Sequence, residues 1–155
     1  MTAARLFTLE DANRTLPYVR RVVTDLVRDY RDWQDTLAQY ELASARRRAA
    51  EAAEGEEGAS STPASGAAAE AVRLEKRAAL LATAIEAYLA EITAVGAEVK
   101  GFAEGLIDFP GELDGRSIRW CWMLGEADVE HWHDTESGFS GRQSIATLEH
   151  VQGTR

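Results

Sequence analysis

Apolar residues recur every three or four positions along two long stretches of this chain, and that spacing restricts what either stretch can form. The first stretch contains Leu9, Ala12, Leu16, Val19, Val23, Leu26, Tyr30, Trp33, Leu37 and Tyr40. The second contains Leu74, Ala78, Leu81, Ile85, Tyr88, Ile92 and Val95. Because residues three and four apart share one face of an α-helix, each stretch predicts an amphipathic helix with one apolar stripe.

Local signals place the ends of these helices. Thr8 is followed three residues later by Asp11, a spacing that resembles a capping box and predicts a helix start. Gly96 stands directly after the second stripe, where helices often end on a glycine in the left-handed conformation. We therefore expect the first helix over residues 9–50 and the second over residues 67–95.

Residues 51–66 join the two predicted helices. They are rich in Ala, Gly, Ser and Glu, with almost no apolar side chain larger than alanine. Such a composition buries too little surface to offset the entropy of ordering, so it predicts a flexible tip. A flexible tip lets the helices fold back on each other as an antiparallel hairpin with heptad-like packing.

Further apolar residues widen the two stripes beyond what one hairpin can cover: Val22, Val27, Leu80 and Ala84. The extra surface needs cover from the C-terminal segment or from a second chain. Since symmetric pairing is the commonest way to cover such a surface, we expect a homodimer, with a monomer as the alternative.

After Gly96 the apolar period changes to two, which is typical of half-buried strands. The alternating residues are Ile107, Phe109, Ile118, Trp120, Trp122 and Val129. Asp114 with Gly115, and Gly125 with Glu126, read as two-residue hairpin turns. We predict a small three-stranded antiparallel meander over residues 97–133, followed by a C-terminal loop and tail over residues 134–155. The fold is then mainly α (α+β), in a single domain over residues 1–155.

The two predicted turns fix the strand register. They give the pairs Phe109 with Trp120, Ile107 with Trp122, Trp120 with His131, and Ile118 with His133. Because side chains alternate between the faces of a sheet, this register places both imidazoles on the aromatic face.

His131 and His133 form a His-x-His pair, which points both imidazoles to one side of a strand, as two metal ligands require. Asp134 and Glu136, directly after the strand, are the candidates for a third ligand. A position opposite Trp120, however, favours His131 as a hydrogen-bonded or stacked core histidine. His133, nearer the end of the strand, is the better ligand. We expect no cofactor, with a divalent metal on His133, His131 and Asp134 as the alternative.

Residues 138–142, GFSGR, suggest an anion site. Gly138 and Gly141 could direct backbone amides at one anion, while Arg142 and His133 supply positive charge. The alternative is structural: Phe139 fills the core, and Arg142 pairs with a nearby acid.

The composition narrows the function classes. The chain of 155 residues has 17 basic and 26 acidic side chains and a formal net charge of -9, which argues against nucleic acid as the main partner. Cys121 is the only cysteine, so no intrachain disulfide can form, which suits a reducing compartment. Neither a secretory signal nor a membrane span is recognisable, so we expect a cytoplasmic protein.

Catalysis has little support in the sequence. It contains no Gly-x-Ser-x-Gly nucleophile elbow. Cys121 lies on a predicted strand between two tryptophans, which indicates packing rather than a nucleophile. We assign no catalytic residue and expect the protein not to be an enzyme.

Four separated segments resemble the bacterial family designated domain of unknown function 2203: FTLEDANRTLPYVR at 7–20, GAEVKGFAEGLIDFP at 96–110, CWMLGE at 121–126, and WHDTESGFSGR at 132–142. The resemblance spares the predicted tip and implies no substrate or catalytic residue. It places the following residues at family motif positions: Phe7, Asp108, Pro110, Trp122, Gly125, Glu126, Trp132, His133, Gly138, Phe139, Gly141 and Arg142. His131 departs from the family pattern, which weakens the His-x-His metal site.

The sequence as a whole favours a non-enzymatic interaction or regulatory module. In this hypothesis a dimeric helical hairpin presents its tip to a protein partner. The alternative is an anion-binding or divalent-metal-binding protein with its site around His133 and Arg142.

Overall fold

Two long helices are followed by an antiparallel sheet in the computed structural model, which describes residues 5–57 and 62–148. The helices are α1 (Leu9–Glu57) and α2 (Thr62–Val95). The strands are β1 (Glu98–Gly101), β2 (Leu106–Leu113), β3 (Arg116–Met123), β4 (His131–Asp134) and β5 (Gln143–Ser144), each hydrogen-bonded to the next in chain order. The helices pack together as a hairpin, so the predicted α+β fold is confirmed. The prediction of three strands was wrong: β1 and β5 add one short strand at each edge of the sheet, and β5 lies within the predicted C-terminal loop.

The start of α1 coincides with the predicted capping box. The backbone N–H of Asp11 donates to the Thr8 hydroxyl at 3.0 Å, and the backbone N–H of Thr8 donates to the Asp11 carboxylate at 3.1 Å. Two amides that the first helical turn leaves without helical partners are thereby satisfied. The predicted helix start is confirmed.

The end of α2 coincides with the predicted glycine. Gly96 has a φ of 98°, and the backbone N–H of Ala97 donates to the Ile92 carbonyl oxygen at 3.2 Å. This is the bond of a Schellman motif, which needs a left-handed residue directly after the helix.

Both helices extend further into the predicted tip than expected. α1 continues to Glu57, and α2 already begins at Thr62. Alanine and glutamate, abundant here, are strong helix formers and need no buried face to continue a helix that packing has started. The remainder of the predicted tip, residues 58–61, lies outside the described residues.

The described residues divide into two compact units. A sheet unit comprises residues 5–27 and 87–148, and a hairpin unit comprises residues 28–57 and 62–86. The prediction of a single domain over residues 1–155 stays a prediction. Each unit has a core of its own. That of the hairpin unit is small and consists of Ala43, Ala71 and Leu74, with Tyr40 packed against it.

The core of the sheet unit combines the ends of both helices with one face of the sheet. Among its buried residues are Leu16, Val19, Val22, Val23, Val27, Ile92, Ile107, Phe109, Ile118, Trp120, Trp122 and Val129. The stripes of the helices and the alternating residues of the strands therefore meet in a single cluster. Removing their apolar surface from water is the main stabilising contribution in this unit.

The register between β2 and β3 is the predicted one. Phe109 pairs with Trp120, and Ile107 pairs with Trp122. Asp114 and Gly115 have φ values of 51° and 78°, so both occupy the left-handed region that a type I′ turn requires.

The predicted register between β3 and β4 was wrong by one residue. Trp120 pairs with Trp132, whereas His131 pairs with Cys121, and His133 pairs with Arg119. The connecting residues 124–130 are odd in number, and they do not form a two-residue turn at Gly125 and Glu126. Since a shift of one residue exchanges the faces of a strand, both imidazoles lie on the face opposite the aromatic core.

Glu126 holds this wider connection in place. Its carboxylate accepts a hydrogen bond from the backbone N–H of Met123 at 2.8 Å, and its carbonyl oxygen accepts one from the Trp122 indole at 2.9 Å. The sequence pattern at Gly125 favoured a two-residue hairpin turn. These two hydrogen bonds instead stabilise a longer loop with a different backbone conformation.

Asn13 of α1 fastens the other end of the same connection. Its side-chain amide oxygen accepts a hydrogen bond from the Val129 N–H at 2.7 Å, and its amide nitrogen donates to the Val129 carbonyl at 3.3 Å. The Asn13 side chain therefore makes the two backbone hydrogen bonds with Val129 that a neighbouring strand would otherwise make.

We predict that Asn13→Ala lowers the free energy of unfolding by about 1 to 3 kcal/mol, because a partly buried backbone amide loses its partner. Urea denaturation measures the change. The matched control is Arg14→Ala in the same turn of α1, which removes only ion pairs of an exposed side chain and should change stability by at most ~0.5 kcal/mol. Equal effects of the two substitutions would contradict the role assigned to Asn13.

Candidate functional site

Three buried side chains of different chemistry meet on the face of the sheet opposite the aromatic core. Asp108 and Cys121 are cross-strand partners on β2 and β3, and His133 lies on β4. Asp108 is 2% exposed, Cys121 0% and His133 3%. One ligand atom from each lies within 4.8 Å of the other two, which is close enough for all three to bind one metal ion.

The imidazole of His133 is oriented at both nitrogens. Nδ1 lies 2.6 Å from the carbonyl oxygen of Asp134, and Nε2 lies 3.1 Å from each carboxylate oxygen of Asp108. A carbonyl oxygen only accepts, so Nδ1 carries a proton and donates it. If Nε2 is also protonated, an imidazolium pairs with the Asp108 carboxylate. If it is not, its lone pair is available to a cation.

The thiol of Cys121 is held in its neutral form. Burial raises the pKa of this thiol to about 12, and the nearby carboxylate of Asp108 contributes in the same direction. Since the thiolate is the nucleophilic form, Cys121 in these surroundings is not an activated nucleophile.

A second polar cluster adjoins the first and is formed by Glu126, Arg142 and His131. The guanidinium of Arg142 donates to both carboxylate oxygens of Glu126, at 2.8 and 3.1 Å, in a bidentate ion pair. Nδ1 of His131 lies 3.6 Å from the same carboxylate, which is too long for a hydrogen bond. Burial by itself raises the pKa of the Glu126 carboxyl, but the hydrogen bonds from Arg142 and Met123 outweigh burial and hold this pKa below its ordinary value.

The groups of the predicted anion site bind other protein groups in this structure. Arg142 binds Glu126, as in the structural alternative, and His133 binds Asp108. The backbone N–H of Gly141 donates to the Gly138 carbonyl within the short 3-10 turn that they enclose, although Gly138 does adopt a left-handed φ of 62°.

Phe139 does not fill the core, so that part of the structural alternative was wrong. Its side chain is 43% exposed, and the Arg142 guanidinium lies over its ring at 4.8 Å from the centroid. The ring therefore shields the ion pair of Arg142 from one side.

Of the three predicted metal ligands, the structure brings only His133 into the group with metal-ligand spacing. The Asp134 carboxylate instead accepts backbone N–H bonds from Ser137 and Glu136, and these bonds lower its pKa. His131 faces Glu126. The sequence reasoning missed Asp108 and Cys121 as partners of His133 because the register error placed the histidine on the other face.

The Asp108, Cys121 and His133 cluster is closed to solvent. An open groove nearby is lined by Arg20, Thr24, Leu124, Gly125, Glu126 and Ala127, and none of the three cluster residues lines it. The three cluster side chains are therefore buried and lie outside this groove.

We predict that the acid sensitivity of the protein depends on Glu126. A carboxyl whose pKa is lowered by folding stabilises the fold above its unfolded pKa, near the ordinary value of 4.5, and loses this contribution as the pH falls through the folded pKa. Glu126→Gln should therefore be less stable than the wild type at neutral pH, and the gap should narrow on acidification to about pH 3. Urea denaturation across this range tests the prediction, with Glu112→Gln, an exposed carboxyl on β2, as the control. A gap that is constant with pH would refute it.

Comparison with known proteins agrees with the sequence motifs. The model of the family described as "Uncharacterized conserved protein (DUF2203)" matches residues 5–145, which include both polar clusters and α1 and α2. No curated protein and no solved structure matches the chain. Because the match covers most of the chain, this protein belongs to the DUF2203 family of uncharacterized conserved proteins.

Proposed function

We propose that the protein is a non-enzymatic interaction module that associates with a second copy of itself through the outer face of α2. The observation that supports the proposal most directly is an apolar surface on this helix that remains exposed. Leu80 is 73% exposed, and Val72 is 49% exposed.

The exposed apolar residues lie on one side of the helix. In the hairpin unit, the buried positions of α2 are Ala71, Leu74, Ala78 and Ile85. The exposed apolar positions are Ala69, Val72, Ala79 and Leu80. At 100° per residue the second set faces away from the first, so α1 does not cover it. Lys76 and Thr83 are exposed on the same side, so the uncovered face is apolar apart from these two side chains. A largely apolar uncovered face on a helix is typical of a contact surface.

A membrane is a less suitable partner for this face than a protein. The prediction that no segment has the length and composition of a membrane span was wrong: by these two criteria alone the helix segment Ser65–Val95 could span a membrane, and 17% of its most apolar window is buried. However, Arg77 and Glu86 enclose an uncharged stretch, residues 78–85, that is far shorter than the ~20 apolar residues of a typical span.

The charges on α2 favour an antiparallel contact between two copies. Arg73 and Glu91 are exposed and, at 3.6 residues per turn, lie about five full turns apart on the same line along the helix. When two such helices pack antiparallel about a two-fold axis near residue 82, Arg73 of each copy lies opposite Glu91 of the other. A two-fold contact uses the same patch on both chains, so this complementarity is satisfied twice.

The size of the surface indicates how strong the association should be. A helix of 34 residues is about 51 Å long, and a contact strip about 10 Å wide covers roughly 500 Å² on each chain. Stable interfaces bury about 800 Å² per partner, so we expect a dimer that dissociates on dilution. The association is therefore measured over a range of concentrations.

We predict that Leu80→Lys shifts the wild-type dimer to a monomer in sedimentation velocity experiments and weakens association at least tenfold. Because this side chain is largely exposed, its substitution leaves the folded monomer intact, which circular dichroism verifies. Gln34→Lys, which adds the same charge at an exposed position of α1, is the matched control and should keep the dimer. A wild-type chain that stays monomeric at every concentration would overturn the proposal.

A charge exchange tests the orientation of the helices. Arg73→Glu and Glu91→Arg should each weaken association, because each places like charges opposite one another. The double variant should restore it. If the double variant is no better than the single variants, the antiparallel arrangement is wrong. Binding of the wild-type chain to neutral lipid vesicles would instead identify a membrane as the partner of this face.

The predicted contact of a protein partner with the tip, residues 51–66, and the expected cytoplasmic location remain parts of this proposal. The alternative of an anion site at Arg142 and His133 has less support, because an anion would have to displace Glu126 from Arg142.

A further inference from the structure

We propose that Asp108, Cys121 and His133 bind one divalent transition metal ion of the zinc type, in a closed structural site. The inference rests on the sheet unit alone and is independent of association through α2. It assigns ligands that differ from the predicted set of His133, His131 and Asp134.

The spacing of the donor atoms fits a single ion. The ligand atoms of the three side chains lie within 4.8 Å of one another, and Nε2 of His133 lies 3.1 Å from either oxygen of Asp108. Around a tetrahedral zinc ion with bonds of about 2.0 to 2.3 Å, neighbouring ligand atoms are ~3.5 Å apart. To reach this geometry, donor atoms that are at most 4.8 Å apart must approach one another by up to ~1.3 Å.

The orientation of His133 is the one that metal-binding histidines adopt. Its Nδ1 proton is donated to the carbonyl oxygen of Asp134, which fixes the tautomer and directs Nε2 into the cluster. A histidine that ligates a metal through one nitrogen generally donates the other to a carbonyl or a carboxylate. The backbone of β4 supplies that second partner here.

The three side chains balance the charge of a divalent ion. A Cys121 thiolate and an Asp108 carboxylate contribute two negative charges, and a neutral His133 contributes none, so the buried complex carries no net charge. The thiol proton, and any second proton on His133, leave to bulk water as the metal bonds form. Sulfur and nitrogen donors select zinc or cobalt over magnesium or calcium, which prefer oxygen.

The Asp108 carboxylate can supply the fourth donor. Both of its oxygens lie 3.1 Å from Nε2 of His133, and a carboxylate that binds through both gives four donors with Cys121 and His133, in a geometry distorted from tetrahedral because the two oxygens of one carboxylate are close together. Because all three side chains are buried, we expect the ion to be incorporated as the chain folds and to exchange slowly.

The test uses the untagged full-length chain, expressed in minimal medium with added Zn²⁺ and purified without chelator. Elemental analysis should find about one zinc per chain in the wild type. The variants Cys121→Ser and His133→Gln should lose at least nine-tenths of it. His131→Gln is the matched control: it removes the neighbouring histidine of the same strand and should retain the zinc. Loss of zinc in His131→Gln as well would restore the His-x-His site and overturn the assignment.

Cobalt gives a second readout that does not depend on whether a variant folds. Wild-type protein expressed with Co²⁺ should show a near-ultraviolet thiolate-to-cobalt charge-transfer absorption, together with visible bands of four-coordinate cobalt. The charge-transfer absorption reports Cys121 directly, because it is the only cysteine in the sequence. A wild-type chain that contains neither zinc nor cobalt, or cobalt-loaded protein without the charge-transfer band, would overturn the proposal and leave a metal-free hydrogen-bonded cluster.

Discussion

The connection between β3 and β4 is the constraint on which the sheet unit depends. Glu126 binds the Met123 amide through its carboxylate and the Trp122 indole through its carbonyl oxygen, while Asn13 of α1 binds the backbone of Val129. Together these bonds hold a connection with an odd number of residues. A connection one residue shorter or longer would exchange the faces of β4, placing His131 and His133 against the tryptophans and Trp132 in their place.

This register separates the sheet into two chemically distinct faces. One face packs on the helices and contains almost only apolar side chains, which stabilise the unit through burial. The other gathers acids, imidazoles and a thiol. Burying polar and charged groups there is unfavourable unless they have partners. The imidazole of His133 lies within hydrogen-bond distance of the Asp108 carboxylate, and Glu126 forms an ion pair with Arg142. A cation bound by Asp108, Cys121 and His133 would satisfy the same requirement.

Much of the fold followed from local patterns, whereas little of the site did. The helix start at Thr8, the helix end at Gly96 and the turn at Asp114 and Gly115 each depend on interactions within a few residues, and all three were predicted correctly. The partners of His133 and Arg142 were not identified. These partners lie on another strand and in a loop that are distant in sequence. A register error of one residue therefore assigns the wrong neighbours to every side chain of β4. The exposure of Phe139 was missed for a similar reason. The apolar character of the ring favours its burial, but whether it reaches the core depends on how distant segments pack.

The sequence by itself determined the two helical stripes, the change to a period of two after Gly96, and the turn between β2 and β3, because each is encoded by backbone preferences and short-range periodicity. Only the tertiary structure decided which face of β4 meets the core, which acid each imidazole and Arg142 faces, and that one side of α2 remains uncovered. These outcomes depend on the summed fit of distant segments. The length of the connection at residues 124–130 determined which side chains of β4 face the core. Local turn propensity had favoured a two-residue turn, which would have placed the opposite side chains there.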